Sequence, residues 1–353
     1  MTDPSQRPQF RILSLDGGGI LGAFAASFLA EIERRKQCRI ADYFDLIAGT
    51  STGGIIAAAL AAGEPASRVV EFYRDRGPRI FRRKKFGSTW ERWARIVNRP
   101  LRRWLGLDLQ SLLMPTYDNR ELADALTEVF GERTIESLTA TRLVMPAVDL
   151  IQGKTVVFKT PHLPDLIRDR HYLVREAVLA TTAAPTFFQP TSIRGTGAYA
   201  DGGVWANNPT MVAVTEALKI AEVGRRENDP CHTLHDIHCL SVGTGDGPYA
   251  AFPGGSAAGI GWWLTNKRIF TVMMASQAQG VHFQAQYLLG ERYHRANYTV
   301  PDVSWTLDNT ANLDQLIHLG TSHASERLAS LIPSFFERMT EPYRPFPDSS
   351  AGR

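Results

Sequence analysis

Cysteine is scarce in this chain: Cys38, Cys231 and Cys239 are the only three in 353 residues. Three scattered thiols exclude a disulfide framework and a cysteine-rich zinc site, and they fit a reducing compartment. Long apolar runs are missing too. No stretch approaches the ~18 residues that a membrane-spanning helix needs, so any action on a membrane has to come from the aqueous side. The first ten residues, Met1 to Phe10, are polar and hold no signal-peptide core. No repeat with a period of roughly 20–50 residues recurs, and no H-E-x-x-H motif occurs. These absences set aside disulfide-stapled scaffolds, integral membrane proteins, solenoids and motif-bearing metalloenzymes.

What is present is a globular composition, 44% hydrophobic and 21% charged, sufficient for one large core. Residues 8–340 read as a single α/β domain, and the Pro- and Ser-rich residues 341–353 as a flexible tail. The net charge of +3 is unevenly spread. Residues 79–107 carry ten Lys or Arg against one acid, Glu91, a local +9 that leaves −6 for the rest. Trp90, Trp93 and Trp104 lie in the same segment, so 79–115 reads as a basic, Trp-containing insertion. Basic residues interleaved with Trp suit an anionic membrane surface, where each Lys or Arg adds about 1 kcal/mol. A pocket for an anionic signalling nucleotide, a nucleic-acid surface and a solvated basic face over a Trp core are the competing readings.

Two strand–turn–helix units open the chain. Arg11 to Leu15 is an apolar strand that runs into Asp16-Gly17-Gly18-Gly19-Ile20-Leu21-Gly22. A helix follows from Ala23 to about Lys36, with Phe24, Phe28 and Ile32 at spacing four. Phe44 to Ala48 is a second strand, followed by Gly49-Thr50-Ser51-Thr52-Gly53 and a helical run to Ala62. Consecutive βα units predict a mainly parallel sheet with helices on both faces. Further along, Asp118 reads as an N-cap for a helix to Phe130, 143–150 and 155–159 as strands, and 173–182 as a helix. Ala198 to Ala200 is a short strand feeding Asp201-Gly202-Gly203. Pro209 opens a helix to about Val223, Ile237 to Val242 is a strand, 249–261 a loop, and a long helical stretch ends at Leu289. The chain beyond Glu341 is expected to fray.

Ser51 is the strongest candidate for chemistry. Glycines two before and two after it allow a sharp strand-to-helix turn that lifts the hydroxyl clear of the sheet. Acyl transfer also needs a base and donors for an oxyanion. Gly17, Gly18 and Gly19 follow a neighbouring strand and precede a helix, where bare backbone N–H groups can serve. Gly17-x-Gly19-x-x-Gly22 also matches a dinucleotide-binding pattern, whereas no Gly-Lys-Ser/Thr follows to make a Walker A loop. For the base, none of the nine histidines has a distinctive setting. Asp201, at a strand end before two glycines, can project a carboxylate from a tight turn, and burial would strengthen it as a base.

Taken together, Asp16-Gly17-Gly18-Gly19-x-x-Gly22, Gly49-Thr50-Ser51-Thr52-Gly53 and Asp201-Gly202-Gly203 resemble the three signatures of patatin-like phospholipases, in the family's order. Ala183-Ala184-Pro185, Asn207-Asn208-Pro209 and Ser241-Val242-Gly243-Thr244-Gly245 are similar to further family segments. The resemblance spans roughly residues 10 to 290. Leu21 departs from the pattern, because many members carry Arg or Lys there. The resemblance implies a three-layer α/β/α sandwich and a lipid acyl hydrolase with Ser51 as nucleophile, Asp201 as base and Gly17 to Gly19 as oxyanion loop, without cofactor or metal. Among family members the chain looks most similar to bacterial cytoplasmic ones, some of which are anti-phage effectors switched on by cyclic dinucleotides. That implies a membrane phospholipid substrate reached from the inner face, a cyclic-dinucleotide activator, assembly into a homo-oligomer on activation and no nucleic acid polymer as partner. A Ser–His esterase on small soluble esters, and a non-catalytic nucleotide- or membrane-binding protein on the same fold, are the alternatives.

Overall fold

A computed structural model describes residues 9–82, 116–226, 232–247 and 268–346. Most of the basic insertion and the 249–261 loop therefore lie outside the described residues. The first βα units form as expected: β1 (Phe10–Leu15), α1 (Gly22–Lys36), β2 (Leu46–Gly49) and α2 (Thr52–Ala61). Next come α3 (Ala66–Ile80), α4 (Asn119–Phe130), β3 (Arg142–Asp149), β4 (Lys154–Lys159) and α5 (Val174–Thr181). The middle of the chain forms β5 (Thr191–Ile193), β6 (Thr196–Asp201), α6 (Gly203–Ala206) and α7 (Thr210–Arg226). β7 (Ile237–Val242), α8 (Arg268–Leu289), β8 (Tyr293–Ala296) and α9 (Leu313–Leu331) follow.

Eight strands make one sheet in the order β5-β6-β3-β2-β1-β7-β8, with β4 also on β3. β1 is central and wholly buried, parallel to β2 on one side and β7 on the other. Its side chains alternate between two cores. Leu13 and Leu15 join α1, α2, α5 and α9 on one face, while Phe10 and Ile12 join α7 and α8 on the other. This is the expected three-layer α/β/α sandwich. Full burial of a side chain such as Phe24 or Phe28 contributes about 1.5–3 kcal/mol. α2 is buried all round, because TGGIIAAALA presents only small or apolar side chains to sheet and helices alike.

Two topological facts position the site. The chain leaves β1 toward β2 but leaves β7 toward β8, in opposite directions, and the loops at the carboxyl ends of β1 and β7 lie side by side, joined by Thr244 on the Gly17 carbonyl. Also, β2 and β6 share one edge of β3. Val144 pairs with Ala48 and Lys159, while Ala147 pairs with Asp201 and Val156. Parallel β2 stops at Gly49 and antiparallel β6 runs in to meet it, which brings Asp201 to the end of β2.

One expectation is corrected. The chain from Glu341 to Phe346 does not fray. Tyr343 is buried, its ring under the Arg142 guanidinium at 5.2 Å, and the Phe346 N–H donates to the Pro161 carbonyl at 2.8 Å. The Tyr343 ring under Arg142 and the Phe346–Pro161 hydrogen bond hold what composition alone marks as a tail; residues 347–353 lie outside the described range.

Candidate active site

Ser51 sits in a strained turn. Its φ of 54° and ψ of −122° lie where a residue with a Cβ is rarely found, at a cost of about 1–3 kcal/mol. The surroundings impose that conformation. The Gly54 and Ile55 N–H groups donate to the Ser51 carbonyl at 2.8 and 3.2 Å, the Ser51 N–H donates to Thr181 Oγ1 at 3.1 Å, and Thr50 Oγ1 donates to the Ala206 carbonyl at 2.6 Å. Gly53 is required by crowding, since a Cβ there would lie 2.2 Å from the Leu15 carbonyl oxygen. The hydroxyl stands at the N-terminus of α2, where the helix dipole favours negative charge.

Asp201 ends β6 with no exposed surface. Oδ1 accepts from the Gly203 N–H at 2.6 Å, whereas Oδ2 is buried without a hydrogen-bond partner. Burial pushes this carboxyl up to about 7, against the Ser51 hydroxyl and the Gly203 N–H, which both pull it down. The Ser51 hydroxyl is thus near enough to influence the acid while forming no full bond with it. A carboxylate that titrates near neutrality is matched to proton shuttling at physiological pH.

The glycine loop lies beside Ser51: a Cβ built on Gly17 would sit 3.2 Å from Ser51 Cβ. The three glycines are not equivalent, and this corrects the expectation of three donors. The Gly17 N–H already donates to the Asn207 carbonyl at 2.9 Å, because the α6–α7 turn brings that carbonyl under the loop. Gly17 shapes the turn, and only the N–H groups of Gly18 and Gly19 are without a partner among the described residues. Gly19 has a φ of +57°, and a Cβ there would meet the Leu307 carbonyl oxygen at 2.2 Å.

Two residues hold this loop: Arg295, which the sequence does not single out, and Thr244, whose segment resembles the family but carries no evident role in the sequence. Arg295 on β8 grips Asp16 through two bonds of 2.9 and 2.5 Å and also donates to Ser241 Oγ at 2.7 Å. Burial pushes Arg295 down, but Asp16 outweighs it and keeps the guanidinium protonated. Thr244, in the loop after β7, donates to the Gly17 carbonyl at 2.7 Å. An acid opening a buried glycine loop needs a cation nearby, but nothing in the sequence says which of many arginines supplies it.

Ser51, Asp201 and Gly19 open onto one cavity of about 600 Å³, measured out to its mouth. Its walls are apolar, with Phe72, Phe81, Phe187, Phe188, Phe270 and Met274 prominent. Tyr73 is buried beside the nucleophile, its hydroxyl hydrogen-bonded to Thr52 Oγ1. None of the nine histidines lines the cavity. His162, for example, is buried elsewhere against Glu216 at 3.0 Å, and His232 stacks on Phe10. The Ser–His alternative therefore finds no partner at Ser51. Among the described residues no cluster of His, Cys, Asp or Glu is arranged to hold a metal ion, and no helix is long and apolar enough to cross a membrane.

The chain is also similar to known proteins. The sequence pattern of the patatin-like phospholipase family matches residues 13–214. A cGAMP-activated phospholipase of Escherichia coli is 34% identical over 334 residues, 90% of this chain and 83% of the relative. One of Vibrio cholerae, similarly named, is 36% identical over 76% of this chain and 75% of its own length. Patatin-like protein 1 of Oryza sativa is 32% identical over 93% of this chain and 84% of its own.

Proposed function

The chain belongs to the patatin-like phospholipase family, a family of serine hydrolases, and from that premise we propose that it cleaves fatty acids from membrane glycerophospholipids through a Ser51–Asp201 dyad. The observation that carries this reading is a fully buried carboxylate, one oxygen unpartnered, on the wall of the same apolar cavity as a strained serine.

The acyl chain of the lipid enters the phenylalanine-lined cavity. Ser51 Oγ attacks the ester carbonyl carbon, and its proton passes to Asp201 Oδ2. The carbonyl oxygen becomes an oxyanion facing the N–H groups of Gly18 and Gly19, each such donor contributing about 2.7–4 kcal/mol to the transition state. Collapse breaks the ester C–O bond, and the leaving glycerol oxygen takes the proton from Asp201. Water then attacks the acyl-enzyme, Asp201 accepting its proton and returning it to Ser51 as the fatty acid leaves. Each step uses only this chain's residues and water; no metal or cofactor is required.

An unguarded phospholipase would degrade the membrane of its own cell, so the activity needs a gate. The relatives named as cGAMP-activated support a cyclic dinucleotide as the activator here; a role in antiviral defence, acting peripherally on the inner face of the membrane, completes the proposal. The test is fatty-acid release from phospholipid vesicles across a panel of cyclic dinucleotides. The wild type releases fatty acid when the matching dinucleotide is present, while Ser51→Ala and Asp201→Ala do not, with or without chelator. Full activity of Asp201→Ala would remove the dyad from the account.

A further inference from the structure

α8, the longest helix among the described residues, carries a face that no described residue covers. α8 has no charged residue from Ile269 to Leu289. Along one side of it Ile269, Met273, Ser276, Gly280, Phe283 and Tyr287 are all exposed. The four large ones are 41, 44, 61 and 90% exposed in chain order. Their spacing alternates four and three residues, the seam of a helix that packs lengthwise on another helix. The set is also symmetric about position 278. Two copies of α8 crossing antiparallel on a two-fold axis bring Ile269 against Tyr287, Met273 against Phe283 and Ser276 against Gly280. Large side chains then meet large ones toward the ends, and the two smallest meet at the crossing, where the backbones come closest.

Gly280 supports this placement. A Cβ built on it meets nothing within 4 Å. Glycine weakens a helix interior, and nothing among the described residues asks for it here; a second helix backbone at that point does. The absence of Asp, Glu, Lys and Arg from Ile269 to Leu289 means that pairing of this stretch sets no like charges against each other. Taking roughly 200 Å² for a whole large side chain, the four exposed ones offer about 500 Å² per copy. A pair buries about 1,000 Å² from these alone, and the flanking glutamines bring it to the roughly 1,200 Å² at which specific interfaces begin.

We propose that this protein forms a two-fold homodimer through antiparallel pairing of α8. The opposite face of the same helix supplies Phe270 and Met274 to the cavity wall, so pairing also fixes one side of the active site. The proposal does not depend on which reaction the site performs.

Sedimentation velocity of the full-length protein over a concentration series tests it. The wild type sediments as a dimer. Gly280→Leu and the double variant Phe283→Glu/Tyr287→Glu weaken dimerisation at least about tenfold, and the Gly280→Leu monomer melts at or above the wild-type monomer, because leucine is the better helix former. Ile269→Lys and Tyr287→Glu each weaken self-association, and mixing these two proteins restores a heterodimer, which fixes the register. A wild type that is monomeric throughout overturns the proposal, as does a Gly280→Leu protein that dimerises unimpaired. If the monomer binds phospholipid vesicles and the double glutamate variant does not, the face is a lipid-docking surface and the dimer is again overturned.

Discussion

Replacing Asp201 with Asn removes a proton-binding group from the core while keeping its shape. The amide oxygen can still accept from Gly203, and Nδ2 takes the place of Oδ2 with the Ser51 hydroxyl as acceptor. In the folded wild type this carboxyl titrates at about 7, against about 3.9 in an unfolded chain. The folded state therefore holds a proton that the unfolded state has lost. The resulting stabilisation is complete below about pH 4 and is lost as pH rises through about 7. The gap corresponds to about 4 kcal/mol. Asp201→Asn has no such titration, so its stability relative to the wild type rises by about 4 kcal/mol between pH 4 and pH 8. For 353 residues the unfolding entropy is about 0.7 kcal/mol/K, so the difference in melting temperature should widen by about 6 °C over that range. Thermal unfolding of both proteins by circular dichroism across this pH series measures it. A gap that stays constant from pH 4 to 8 would show that Asp201 does not hold its proton in the folded state.

Three further outcomes are expected. With a short-chain soluble ester, kcat/KM should fall about tenfold per pH unit below about 7 and level off above it, because the basic form of Asp201 is lost on protonation; a pH–rate profile flat down to pH 5 contradicts this. Ser51→Gly should be inactive yet more stable by about 1–3 kcal/mol in urea unfolding, because glycine relieves the positive φ; a less stable variant would show that the turn is not strained. Arg295→Met leaves Asp16 buried and unpaired and should cost about 3–5 kcal/mol, most of it recovered in Asp16→Leu/Arg295→Met; urea unfolding of the two variants checks it, and equal loss in both would refute the reasoning.

Much of the sandwich is written locally in the sequence. β1 and β7 are short apolar runs buried on both faces, and the glycine-flanked Ser51 follows such a run directly. What local reading cannot give is juxtaposition. Asp201 becomes the partner of Ser51 only because β6 shares an edge of β3 with β2. Arg295 reaches Asp16 only through the pairing of β8 with β7. Nor does a run of glycines reveal that the first N–H is already spent on Asn207. α9 went unread because polar residues interrupt its apolar positions, although Leu316 and Ala324 pack fully against the core. Tyr343 is ordered by Arg142, a contact between distant segments that composition does not encode.

In the proposed reaction lipid acyl groups pass covalently through Ser51. Acid-quenching the active protein during turnover of phospholipid vesicles, then locating the acyl group by peptide mass spectrometry, tests it directly. A fatty acyl ester is expected on the peptide containing Ser51, absent from Ser51→Ala and strongly reduced in Asp201→Asn. An acyl group on a different residue, or undiminished fatty-acid release by Ser51→Ala, would contradict it.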